Sequence, residues 1–108
     1  MFVSVKGSDY KWFRDALERG DLPLVKATAA QLPRLNLEDA LAIALLVIEH
    51  EPHNAERAAV RWIGRLCLER SDVALARVRA AVDAFALLVD DPDAAEAVLR
   101  RMAGEGRP

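Results

Sequence analysis

Apolar positions recur at helical spacing from Ser8 to Gly104, and stops and caps divide that stretch into six predicted helices. The first runs from a Ser8 cap to Arg19, with Trp12, Phe13, Ala16 and Leu17 assigned to one face. Gly20 supplies the left-handed stop that helix ends favour, and Asp21 follows at once as the next N-cap. The second helix therefore begins with almost no loop, folds back as a hairpin, and ends at Leu32 before Pro33. Only Met1 to Val5 alternates apolar and polar, and a lone strand there has no partner.

The third start is the best specified. Asn36 is the cap, Asp39 takes the third helical position, and Leu35 and Ala40 are spaced for a hydrophobic staple. The helix from Leu37 to His50 contains Ala40 to Ile48 without a polar residue. A helix apolar on all sides is expected to be buried on all sides, which places it centrally. Pro52 or Asn54 opens a fourth helix to Arg70, and Asp72 opens a fifth to about Val89. Asp91 caps a sixth, with Pro92 at its first position and Gly104 at its end.

Short connections pair these six helices into three consecutive hairpins. The pattern predicts an all-α fold, either a compact bundle or a short α-α superhelix, as a single domain over residues 1–108. Residues 1–7 and 104–108 are expected to be flexible ends. The stretch Ala16 to Val25 resembles the helix–Gly-Asp–helix turn of ankyrin-type and other helical repeats. No later hairpin repeats it, and the loop signature between ankyrin repeats is absent. The likeness is one of hairpin chemistry.

Composition changes this picture in one respect. Hydrophobic types make up 53% of the 108 residues, but 20 of them are alanine and only six residues are aromatic. Such a core is thin and depends on helices that approach closely. Charge excludes more than it suggests: residues 1–35 carry +2, and residues 36–70 and 71–108 carry −2 each, for a net −2. A dedicated nucleic-acid binder usually shows a basic block, and none is present. The longest apolar run, Ala40 to Ile48, is about half a membrane span. The lone Cys67 has no internal disulfide partner, and Met1 to Lys6 does not read as a secretory signal, so a cytoplasmic location is expected.

Four constellations are candidates for chemistry. Arg57, Arg61 and Arg65 form one stripe on the fourth helix, opposite Ala59, Ile63 and Leu66, and Leu68 falls in the same outward sector. A row of forked guanidinium groups can hold acidic side chains or phosphate. The plainer reading pairs it with Asp15, Glu18 or the acidic starts of neighbouring helices. In Glu49-His50-Glu51-Pro52-His53 the residue types suit a metal, but Pro52 separates the histidines and no third ligand cluster appears. Cys67, near the edge of the apolar face, is expected to be a small core filler. Asp90, Asp91, Asp93 and Glu96 read as a cap and favourable dipole placement.

Absences complete the survey. The glycines at 7, 20, 64, 104 and 106 make no phosphate loop, and four serines and threonines leave no material for a nucleophile with its base. No catalytic residue, cofactor or metal is therefore expected. The apolar surplus of the third and fifth helices predicts a non-enzymatic protein–protein interaction module or homo-oligomer. Its candidate partner-binding residues are Arg57, Arg61, Arg65 and Leu68. The alternative is a nucleic-acid-associated regulator using the same arginine row, with Arg100 and Arg101 as possible additions.

Overall fold

A computed structural model describes residues 5–70 and 72–104, and among them the chain forms six α-helices and no strand. They are α1 (Val5–Arg19), α2 (Leu22–Ala29), α3 (Leu37–His50), α4 (Ala55–Glu69), α5 (Leu75–Leu87) and α6 (Pro92–Gly104). One 3₁₀ turn, Pro52–Asn54, leads into α4. The predicted hairpins form: α1 packs on α2, α3 on α4 and α5 on α6. Together they make a helical bundle measuring 50 × 31 × 20 Å.

Three of the predicted caps are made by side chains. Asp21 accepts a hydrogen bond from the Leu24 amide at 3.2 Å, Asn36 from Asp39 at 2.7 Å, and Asp91 from Ala94 at 3.2 Å. Gly20 has φ +67°, so the tight α1–α2 turn uses the left-handed conformation that a side chain disfavours. Two other predicted starts are corrected. α1 is already helical at Val5, which places Ser8 inside it, and residues 5–7 belong to that helix. α5 begins at Leu75 with no side-chain cap, because Asp72 and Val73 lie in a turn closed by the Val73 amide on the Arg70 carbonyl. α2 ends three residues earlier than expected, at Ala29. Gly104 closes α6, and the expected flexible ends at 1–4 and 105–108 lie outside the described residues.

The core has two parts. The larger gathers Leu37, Leu41, Trp62, Leu66, Phe85 and Leu99 from α3 to α6. The smaller seats Phe13, Ala16 and Val25 of the first hairpin against Ile43 and Leu46 of α3. α3 thus touches both, and its placement at the centre holds. Burial on all sides does not. Leu37, Asp39, Leu41 and Ala44 are buried, while Ala40, Ile43 and Val47 are only half-buried. Trp12 also departs from its predicted face and is 60% exposed. One residue is about 100° of helix, so Trp12 lies well round from its buried neighbour Phe13.

Candidate functional site

The half-buried side of α3 opens into a groove. α3 and α4 face one another through Ala40, Ala44 and Ala58, and alanines bring helices close without filling the mouth of the seam. The result is a cavity of about 520 Å³ with Ile43, Val47 and Trp62 also in its lining. The alanine-rich composition therefore produces a concave apolar floor as well as a thin core. Pockets for small or peptide ligands commonly have this volume and an apolar base.

Trp62 fixes the position of α4 over that floor. Its ring is buried, its indole N–H donates to the Leu37 carbonyl at 3.0 Å, and it meets Phe85 edge-on with centroids 5.9 Å apart. At the far end of α4, the Arg70 guanidinium donates to the Ala103 carbonyl at 2.8 Å, satisfying an end carbonyl of α6. With the helix held at both places, residues 57, 61 and 65 fall one turn apart along the groove edge.

All three predicted arginines line this groove, joined by Lys26 from α2. Their circumstances differ. Arg65 is half-buried, pairs with Glu69 at 2.5 Å and donates a second N–H to the Leu35 carbonyl. Lys26 pairs with Glu51 at 3.0 Å. The Glu51 carboxyl, which also accepts from the Asn54 amide at 3.0 Å, is held below its ordinary range by the Lys26 hydrogen bond first and the Asn54 bond second. Arg57 and Arg61 are exposed and have no ion pair or hydrogen bond among the described residues. The expected pairing with Asp15 or Glu18 does not form: Asp15 instead meets Lys11 at 3.6 Å on its own helix.

The remaining candidates are dispersed. Leu68 is 88% exposed and does not line the groove. Cys67 is exposed, which corrects the expectation of a core filler: it lies about 100° round the helix from buried Leu66. Glu51 is engaged by Lys26, His53 lies 3.4 Å from the Asn54 amide, and no three metal-ligating side chains gather among the described residues. Glu96 pairs with Arg100 at 2.7 Å.

Arg100 borders a different cavity, of about 430 Å³, which shares no lining residue with the groove. That second cavity holds an arrangement invisible to local pattern. Asp39 is 3% exposed and accepts hydrogen bonds from Tyr10 at 2.8 Å and Arg14 at 2.9 Å. Burial, and then the hydrogen bond to Asp39, raise the Tyr10 phenol above its ordinary range. No helix among the described residues is long and apolar enough to cross a membrane. No protein-family model, no curated protein and no solved structure matches this chain.

Proposed function

We propose that this chain is a non-enzymatic protein–protein interaction module whose α3–α4 groove takes an acidic amphipathic segment of a partner protein. The observation that carries the reading is the pair Arg57 and Arg61, two guanidinium groups one turn apart beside an apolar floor, with no partner among the described residues. Four cations and one carboxylate line the groove of a chain whose net charge is −2, so the positive field is local. Like charges at i and i+4 destabilise a helix by about 0.2–0.5 kcal/mol per pair. The row therefore opposes folding slightly in the free chain, and a carboxylate-bearing ligand offsets that repulsion. Apolar side chains of the same ligand cover Ile43 and Val47, giving the helix-in-groove mode of recognition. The proposal includes a cytoplasmic location, where a lone exposed thiol such as Cys67 stays reduced.

Calorimetric titration tests this with a capped synthetic helix of about four turns, bearing glutamates at i and i+4 beside a leucine stripe. Micromolar binding is expected, weakened about tenfold or more in the double variant Arg57→Glu, Arg61→Glu. A peptide of equal composition with its leucine stripe scattered should bind no better than that variant. Peptide failure together with salt-sensitive binding of a DNA or RNA oligonucleotide would overturn the reading in favour of a nucleic-acid regulator.

A further inference from the structure

α5 packs on α4 and α6 along one side only, the side on which Ala81, Ala84 and Phe85 are buried. Its opposite side presents Leu75, Ala76, Arg79, Asp83, Ala86 and Leu87, all exposed, with Leu75 at 83%. At about 100° per residue, Arg79 and Asp83 sit about 20° either side of the centre line of this face. Ala76 and Ala86 follow at about 40°, and Leu75 and Leu87 at about 60°. Neither Arg79 nor Asp83 has an ion pair or hydrogen bond among the described residues, although they are four apart on one helix.

The order of these residues is its own complement. Reversing the helix about a two-fold axis level with Ala81 exchanges position 79 with 83, 76 with 86, and 75 with 87. A basic group then meets an acidic one twice near the centre, and on each flank a leucine meets an alanine of the second copy, residue 75 against 86 and residue 76 against 87.

We propose that the outer face of α5 is a self-association surface on which a second copy of this chain seats antiparallel. This proposal is independent of the groove, since no α5 residue lines it. An isologous contact needs a patch complementary to itself, and α5 supplies one in charge, size and hydrophobicity together. Its charge pattern also separates the partner it selects from the groove's. The α4 edge of the groove carries three arginines and repels a second copy of itself, whereas α5 alternates sign about its own centre. A helix of 13 residues is about 20 Å long, so the contact falls in the small, transient class of interfaces. The dimer is expected at high micromolar concentration.

Sedimentation equilibrium over about 10 μM to 1 mM tests it, a range chosen for weak interfaces. The native chain should show a monomer–dimer equilibrium, weakened about tenfold or more by Arg79→Asp or by Asp83→Arg, each of which sets like charges opposite one another. The double variant R79D/D83R restores both pairs with their signs exchanged and should recover the native constant to within about threefold. That recovery separates pairing from damage to the fold, and R57E/R61E should leave the constant unchanged. A strict monomer at the highest concentration, indifference to Arg79→Asp, or failure of the double variant to recover would each overturn the proposal.

Discussion

Two groups of charged side chains lie against α3, and they are used in opposite ways. On one side, Asp39 is buried and takes a hydrogen bond from Tyr10 and another from Arg14, so α1 is bolted to the start of α3. On the other, Arg57 and Arg61 stand over an apolar floor with nothing opposite them among the described residues. Both groups are built on arginines of a neighbouring helix. What differs is whether α3 presents a carboxylate to meet them: Asp39 does so on the first side, while Ala40, Ala44 and Val47 do not on the second. Charge satisfied within the chain holds the fold, and charge left unsatisfied beside apolar surface is available to a partner.

The largest expected effect lies on the satisfied side. Asp39→Ala removes the acceptor for Tyr10 and Arg14 and should cost about 2 kcal/mol in urea unfolding. The value sits below that for a fully buried pair because the Arg14 side chain is 46% exposed and can turn to water. An unchanged stability would break the contrast at once. The same variant has a spectroscopic signature, since Tyr10 is the only tyrosine. Its ultraviolet titration midpoint should fall towards the ordinary value of 10.0 while staying above it, because partial desolvation, the larger cause of its elevation, does not depend on Asp39.

On the unsatisfied side the balance reverses. Arg57→Glu with Arg61→Glu should change unfolding free energy by no more than about 0.5 kcal/mol, while acidic-peptide affinity falls about tenfold or more. Gly64 provides a smaller, sharper test. It lies in mid-helix on the exposed side of α4, and an added Cβ there meets nothing within 4 Å. Gly64→Ala should stabilise the chain by about 0.5–1 kcal/mol and leave peptide binding intact, because residue 64 does not line the groove.

The smallest effect concerns pH. Glu51 has a lowered native pKa, so its contribution to stability is full above its unfolded value and is lost as pH falls through the native one. Glu51→Gln should flatten the acid side of the stability profile below about pH 4.5, the ordinary value of that carboxyl. The substitution also releases Lys26 and should tighten acidic-peptide binding at neutral pH.

The sequence carried the local features of this molecule and missed those made by distant residues. Asn36, Asp21 and Asp91 announce their helices because a cap acts on amides three residues away. The arginine stripe was legible for the same reason, as its spacing is a property of one helix. The floor beneath it was not, because it requires α3 to lie alongside α4 and present alanines at the seam. Lys26 enters from a third helix and left no signal in the pattern around α4. Local pattern shows Asp39 only as a first-turn residue, since its partners lie 29 and 25 positions earlier. Trp12 and Cys67 show the limit of face assignment: each neighbours a buried residue in sequence and lies about 100° away from it in space. Asp72 shows the limit of cap assignment, because a turn intervenes before α5 begins.

The central claim is tested most directly by amide chemical-shift mapping during titration with the acidic amphipathic peptide. Saturable shifts should concentrate on residues 40–47 of α3 and 57–65 of α4, extend to the Trp62 indole N–H, and vanish in the double variant R57E/R61E. The amides of Tyr10 and Arg14 on α1 should stay still. Shifts centred on that hydrogen-bonded cluster, shifts spread evenly over the surface, or none at all would contradict the account.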